Sequence, residues 1–151
     1  MSDYITTYTG NHIDPMNPDP AAISIRDIAH ALSLICRGNG HVRSFWSVGQ
    51  HCLDCAREAE ARKLPERMIL ACLLHDASEC YMSDVPRPMK KHMLDYQQQE
   101  KKVLKVIFEK FLGSDLTEAE WRELKEIDDA LLWHDLETLL AEMQHGPIAL
   151  Q

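Results

Sequence analysis

Residues 68–76 read MILACLLHD, and this stretch decides the fold that the sequence predicts. Pro65 suits the first turn of a helix, which then runs through the stretch to His75. The run MILACLL is apolar on every side of such a helix. A helix without a polar face is typical of a buried position, so we expect this one to be the centre of the domain.

The segments before this stretch predict two further helices. Ser24 is a suitable N-cap for a helix whose apolar residues recur at spacings of three and four as far as Ile35. Ser47 begins a capping-box pattern and predicts a second helix that runs to about Lys63. Both helices carry an apolar face that can pack against the central one.

The segments after this stretch predict two long helices. Pro86 and Pro88 interrupt the chain, and a helix is expected over residues 89–112. Thr117 begins a second capping-box pattern and predicts a last helix that ends near Met143. No segment alternates between apolar and polar residues for long enough to predict a strand.

Together these patterns predict an all-α fold of five or six helices in a single domain over residues 1–151. Residues 1–23 contain several prolines and no periodic apolar face, so we expect an extended arm there. The helical core is then expected over residues 24–143.

The composition narrows the class of protein. A chain of 151 residues with 45% hydrophobic and 26% charged residues is ordinary for a globular domain that buries one core. The formal net charge of -8 disfavours general binding to polymeric nucleic acid or to an anionic membrane, although a local basic pocket can still bind a phosphorylated small molecule. The first residues lack the pattern of a secretion signal, and a cytoplasmic location is expected.

The chain has five cysteines, an odd number that favours reduced thiols in such a protein. Cys52 and Cys55 form a CxxC pair, but no second pair completes a zinc site of the usual spacing. Because free cysteines are commonly buried, we interpret this pair as helix packing.

The most informative polar residues are His75 and Asp76, which end the apolar helix. Two adjacent ionisable groups are costly to bury unless a partner such as a divalent cation compensates them. Glu79 lies on the same face if the helix continues, and Asp84 follows at the turn before Pro86. One imidazole and three carboxylates are therefore close in sequence, a donor set that suits Mn, Fe, Co, Ni or Zn.

Two other helices offer further donors. His51 lies in the first turns of the second helix and supplies a second imidazole. Asp128 lies among apolar residues of the last helix, and Asp129 is the alternative, about 100° further round the helix. The sequence alone leaves the choice between these two aspartates open.

The combined pattern resembles the HD-domain superfamily of metal-dependent phosphohydrolases. Four segments carry the resemblance: SVGQHC (47–52), LLHDASE (73–79), SDVPRPMK (83–90) and IDDALL (127–132). The spacing HD-x-x-E-x-x-x-x-D is similar to that of bacterial HD-type nucleotidases, which dephosphorylate deoxyribonucleoside 5'-monophosphates. It also resembles the HD dNTP triphosphohydrolases, including phage dATPases.

The resemblance implies one divalent metal ion, of the Mn, Co, Fe, Ni, Zn or Mg type, and a set of residues that hold it. Its ligands would be His51, His75, Asp76 and Asp128, with Asp129 as the alternative to the last.

The resemblance also implies residues for catalysis and for phosphate binding. Glu79 and Asp84 match the catalytic carboxylates: we assign Asp84 to the proton of the water or leaving group, and Glu79 to orienting solvent at the metal. Arg37, or Arg43 as a contender, and Lys90 would bind the phosphate.

Several functions stay open on the sequence. A nucleotide substrate is expected, and the few basic residues near the site favour a 5'-monophosphate over a triphosphate. A module that senses a nucleotide without turnover is an alternative of another class, although it would not need Glu79 and Asp84. A homo-oligomer, dimer or larger, is also expected, because the long last helix offers Trp121 and Trp133 for an interface.

Overall fold

The computed structural model describes residues 3–140, and most of this part of the chain is helical. Five longer helices and two single-turn helices make up the described fold, which confirms the all-α prediction. They are α1 (Ile25–Leu34), α2 (Val48–Ala61), α3 (Glu66–Leu74), α4 (Glu79–Met82), α5 (Arg87–Lys90), α6 (Leu94–Leu112) and α7 (Glu118–Thr138). The predicted end of the last helix at Met143 lies outside the described residues.

Side-chain caps begin the helices where the sequence predicts them. The Thr117 hydroxyl accepts a hydrogen bond from the Glu120 backbone N–H, and the Glu120 carboxylate accepts one from the Thr117 N–H, which is a complete capping box. The Ser47 hydroxyl accepts from the Gln50 N–H at 3.0 Å, but the Gln50 side chain donates to Asp54 instead of back to Ser47. Only half of that second capping box therefore forms.

Helix α3 lies at the centre of the packing, in contact with α2, α6 and α7. Ala71 and Cys72 are fully buried, and Met68 and Leu74 nearly so. Leu70, however, keeps 38% of its surface exposed, so α3 is not buried on every side as its apolar run indicates. The partner helices bury Val48, Ala59, Ile107, Phe108 and Ile127 around it.

The helix expected over residues 89–112 is broken in the structure. Helix α5 ends at Lys90, and α6 begins only at Leu94. Between them Met93 has non-helical backbone angles, φ -112° and ψ 72°, which change the direction of the chain. Pro86 therefore stands at the N-cap of a separate helical turn and Pro88 lies inside that turn, instead of both preceding one long helix.

The N-terminal segment packs on the core, although it was expected to be an extended arm. It forms a short antiparallel hairpin of β1 (Ile5–Thr6) and β2 (His12–Ile13), a correction to the expectation of no strand. Strands this short cannot show an alternating pattern. Ile13 is 1% exposed, and the Asp27 carboxylate of α1 accepts hydrogen bonds from the backbone N–H and hydroxyl of Thr9.

Among the described helices, none is both long enough and apolar enough to cross a membrane.

Candidate metal centre

Two buried imidazoles meet where α2 and α3 pack together. His51 lies in the first turn of α2 and is 1% exposed, and His75 caps the C-terminal end of α3. The Nδ1–H of His75 donates to the Cys72 carbonyl at 2.6 Å, which turns Nε2 of the same ring towards His51. A histidine held in this way is typical of a metal ligand, because the backbone carbonyl fixes the tautomer and the ring orientation.

Two carboxylates complete this group. Asp128 Oδ1 lies 2.9 Å from His51 Nε2 and 3.4 Å from His75 Nε2. Asp76 Oδ2 lies 3.6 Å from His51 Nε2 and 3.3 Å from His75 Nε2. The structure thus brings together the four side chains that the resemblance indicates as ligands, from three separate parts of the chain.

The structure also distinguishes the two neighbouring aspartates of α7. Asp128 faces the imidazoles, whereas Asp129 faces outwards and has a side chain that is 40% exposed. Asp129 is held there by Arg87 at 2.8 Å and by Lys125 at 3.5 Å. The rotation of about 100° between adjacent helical residues separates their environments.

The group fits a divalent cation in both spacing and charge. Donor atoms bound at about 2.0–2.3 Å from one ion lie about 3–4 Å apart, and the four distances between an imidazole nitrogen and a carboxylate oxygen run here from 2.9 to 3.6 Å. His75 Nε2 is buried and makes no hydrogen bond with any described residue, so an ion would satisfy it.

The pKa values show how strongly this group attracts positive charge. Burial raises the pKa of Asp128, but the hydrogen bond with His51 and the close approach of His75 more than offset this and hold it well below its usual range. Burial lowers the pKa of His75, yet the charge of Asp76 and the nearby Asp128 raise it well above its usual value. The two carboxylates therefore hold a positive charge here, as a proton or as a metal ion.

The group opens onto a cleft of about 380 Å³. Asp76 and Asp128 line it, together with the two predicted catalytic carboxylates and three cations. The polar lining residues are Arg37, Asn39, Asp76, Glu79, Asp84, Arg87, Lys90, Asp128 and Asp135, and the apolar ones include Val42, Val85, Pro86, Leu132, Leu136, Leu139 and Leu140. Such a mixture of polar and apolar walls suits a small organic phosphate.

The predicted phosphate-binding cations differ in their placement. Arg37 lines the cleft and lies 3.1 Å from Asp135, and Lys90 lines it and lies 3.2 Å from Glu100. Arg43, the contender to Arg37, is exposed and lies outside the lining of the cleft. Arg43 follows the turn at 37–40, and its backbone N–H donates a hydrogen bond to the Leu139 carbonyl. Of the two arginines, only Arg37 is in reach of a ligand in the cleft.

Glu79 and Asp84 both line the cleft and both have raised pKa values. Burial raises the pKa of Glu79 to about 11, and the charges of Asp76 and Asp84 add to this. Burial also raises the pKa of Asp84, with a further contribution from Asp76, while Arg37 lowers it. A carboxyl group with a pKa raised as far as that of Glu79 can hold a proton near neutral pH, as acid or base catalysis requires.

Three residues of the site were missed in the sequence. Asp135 is 8% exposed, and its Oδ2 accepts from Arg37 and lies 3.7 Å from His51 Nδ1. It stands two helical turns after Asp128, a spacing that could have signalled a shared face. Arg87 donates to Asp128 at 3.1 Å as well as to Asp129.

The third missed residue is Cys55, one turn after His51, whose Sγ lies 3.6 Å from His51 Nε2. Cys55 and Cys52 are both buried, as helix packing predicts. The five cysteines are all unpaired in the described part of the chain.

Comparison with known proteins agrees with this geometry. Residues 45–146 match the family model described as HD domain. The chain is 40% identical over 110 residues to the uncharacterized protein YfdR of Escherichia coli. This matched stretch covers 72% of this chain and 58% of that protein. It is also 40% identical over 87 residues to an uncharacterized protein of Rhodobacter capsulatus, covering 54% of this chain and 44% of the relative. The chain thus spans about half the length of these curated relatives.

Proposed function

Because this chain belongs to the HD-domain superfamily of metal-dependent phosphohydrolases, we propose that it hydrolyses nucleotides, with (deoxy)nucleoside 5'-monophosphates as preferred substrates. The observation that carries this proposal is the meeting of His51, His75, Asp76 and Asp128 beside a cleft that the two aspartates line. A divalent metal ion held by these side chains would supply Lewis-acid activation of the phosphate and of water.

The roles of the other cleft residues follow from their charge and position. Arg37 and Lys90 bind nonbridging oxygens of the phosphate and stabilise the charge that develops on them. Glu79, which is buried, orients the attacking water. Asp84, which is more exposed and lies beyond α4, carries the proton between the water or the leaving oxygen and solvent.

The number of available cations supports a monophosphate substrate. Each described cation of the cleft already faces a carboxylate: Arg37 faces Asp135, Lys90 faces Glu100, and Arg87 faces the pair at 128 and 129. A triphosphate carries more charge than this partly neutralised set can balance. The cleft is also at the small end of the range of about 300–1,000 Å³ that is usual for ligand pockets.

Two alternative functions predict different outcomes of the same experiment. A dNTP triphosphohydrolase would release triphosphate, and a sensing module would bind nucleotide without releasing any product. The purified chain is incubated with nucleoside mono-, di- and triphosphates, in ribo and deoxy forms, with Mn²⁺, Co²⁺, Mg²⁺ or Zn²⁺. The proposal expects inorganic phosphate from monophosphates and its loss in chelator and in Asp76→Ala.

Release of triphosphate would favour the first alternative. A rise in melting temperature with nucleotide, without any product, would favour the second.

The partner and location predictions stay predictions. They are a homo-oligomer, a cytoplasmic location, and no binding to polymeric nucleic acid or membrane. Of the two tryptophans considered for an interface, Trp121 packs edge-on against Phe108 within the fold, whereas Trp133 is 37% exposed and more available.

A further inference from the structure

A thiol lies within the donor group of the candidate metal centre. Cys55 stands four residues after His51 on α2, so the two side chains share a face of the helix. Its Sγ is 3.6 Å from His51 Nε2, and Cys55 is 1% exposed. One potential ligand atom from each of His51, Cys55, His75 and Asp128 lies within 4.8 Å of all the others.

An independent observation indicates that this group awaits a ligand. His75 is 6% exposed, and its buried Nε2 makes no hydrogen bond with the described residues although it belongs to the same group. A buried ring nitrogen that makes no hydrogen bond is unusual, because buried polar atoms are nearly always satisfied. A cation between the two imidazoles would satisfy it, and that cation would also be in reach of the thiol.

We propose that Cys55 Sγ is a further metal ligand, which makes the centre selective for thiophilic divalent ions over Mg²⁺. The inference rests on the proposed metal site and adds a ligand to it. On binding, the S–H bond breaks, a sulfur–metal bond forms, and the proton passes to solvent. Thiolate donors favour ions such as Zn²⁺, Co²⁺ and Cd²⁺, whereas Mg²⁺ and Mn²⁺ prefer oxygen donors.

The nearby Cys52 offers a matched control. It is as buried as Cys55 and is also on α2, but it groups only with His75 and Asp76. Cys55 groups with both imidazoles and with Asp128, and it is the thiol in contact with His51. The geometry therefore selects Cys55 as the ligand.

Cobalt(II) tests this inference without relying on activity. The metal-free full chain is titrated with Co²⁺ and its absorption spectrum is recorded. We expect visible ligand-field bands together with a near-ultraviolet sulfur-to-cobalt charge-transfer band. Cys55→Ala and Cys55→Ser should lose the charge-transfer band and keep the visible bands, while Cys52→Ala should keep both.

Affinities provide a second measurement on the same proteins. Cys55→Ala should weaken Cd²⁺ binding by about 10- to 100-fold while changing Mn²⁺ binding much less, because only the soft ion gains from sulfur. Equal weakening of both ions would indicate a structural effect of the substitution and would overturn the proposal.

The possible failures are distinguishable. Visible bands without a charge-transfer band in the wild type would exclude a thiolate ligand and leave the proposed metal site intact. Failure of the wild-type protein to bind Co²⁺ would overturn both the proposed metal site and the Cys55 ligand. Binding of Co²⁺ by His75→Ala as tightly as by the wild type would have the same consequence. A charge-transfer band lost in Cys52→Ala would also overturn the assignment. If neither Cys55 variant folds, retention of the band in Cys52→Ala excludes Cys52 and leaves Cys55, the other thiol that groups with the donor atoms of described residues, as its source.

Discussion

At the scale of single residues, direction on a helix separates side chains that the sequence leaves equivalent. Asp128 and Asp129 are adjacent and identical in type, yet only Asp128 faces the two imidazoles. Asp129 makes its contacts with Arg87 and Lys125 at the surface. The ligand set therefore depends on which face of α7 packs against α2.

This difference predicts the outcome of a matched pair of substitutions. Asp128→Ala should lower affinity for Mn²⁺ by at least about 10- to 100-fold, since it removes a donor from the centre. Asp129→Ala removes two surface ion pairs, with Arg87 and Lys125, and should change affinity little. Calorimetric titration of both variants with Mn²⁺ makes the comparison, and the reverse order would transfer the ligand role to Asp129.

Catalysis and metal binding should separate at the cleft carboxyls. Glu79→Gln and Asp84→Asn should each keep the metal, because neither side chain belongs to the donor group. Their turnover should fall by about 10²- to 10⁴-fold, as expected when a positioned acid or base is lost. Metal content and phosphate release are measured on the same samples. Near-normal turnover in both variants would disprove the assigned roles.

Asp135 is expected to act through other residues. It holds Arg37 at 3.1 Å and lies beside Nδ1 of His51, so its loss should disturb both phosphate binding and the imidazole. Asp135→Asn should therefore raise KM for the substrate and lower Mn²⁺ affinity by up to about tenfold each. Asp129→Asn serves as the control from the same helix. An effect on melting temperature alone, with KM and Mn²⁺ affinity unchanged, would reduce Asp135 to a structural role.

At the scale of elements, the N-terminal hairpin is hydrogen-bonded to α1 through the carboxylate of Asp27. Asp27 is 2% exposed and accepts two hydrogen bonds from Thr9. Burial raises its pKa, but hydrogen bonds from Thr7 and Thr9 outweigh this, and the net result is a pKa below the usual 3.8. The hairpin therefore depends on the ionised form of this side chain.

The sign of that shift predicts how the contact responds to pH. A carboxyl whose pKa is lower in the folded state stabilises the protein above its unfolded pKa, and this contribution is lost as the pH falls through the folded value. Asp27→Asn should therefore lower the free energy of unfolding near neutral pH, and the gap to wild type should close at low pH. Urea unfolding of both proteins at a series of pH values measures this difference in the free energy of unfolding. A gap that is constant with pH would contradict this account.

At the scale of the whole molecule, stability comes from the helices packed around α3. Phe108 of α6 is fully buried and packs edge-on against Trp121 of α7 at a centroid distance of 5.6 Å. Phe108→Ala should lower the free energy of unfolding by about 3–5 kcal/mol, through lost burial and the cavity left behind. Phe45, which is 60% exposed, is the control, and Phe45→Ala should change stability by about 0.5 kcal/mol or less. Denaturant unfolding measures both variants. A loss of unfolding free energy in Phe108→Ala as small as that in Phe45→Ala would mean that Phe108 does not belong to the cooperative core.

The sequence by itself determined what depends on near neighbours along the chain. The hydroxyls of Ser24, Ser47 and Thr117 cap helices where predicted, because a cap is an interaction over three residues. The apolar run before His75 likewise identified the helix at the centre, since periodicity is a local property. The side chains that supply the donor group were recognisable as types in a characteristic order.

Only the tertiary structure decided which helix faces meet. It selected Asp128 over Asp129 and Arg37 over Arg43, and it brought Asp135 and Cys55 to the site. Asp135 and His51 are far apart in the chain, and no local pattern specifies the angle at which α7 crosses α2. The break at Met93 was also undetected, because residues 89–94 contain no glycine or proline to mark it. Periodicity gives each side chain a direction on its own helix, whereas packing between helices determines what lies in that direction.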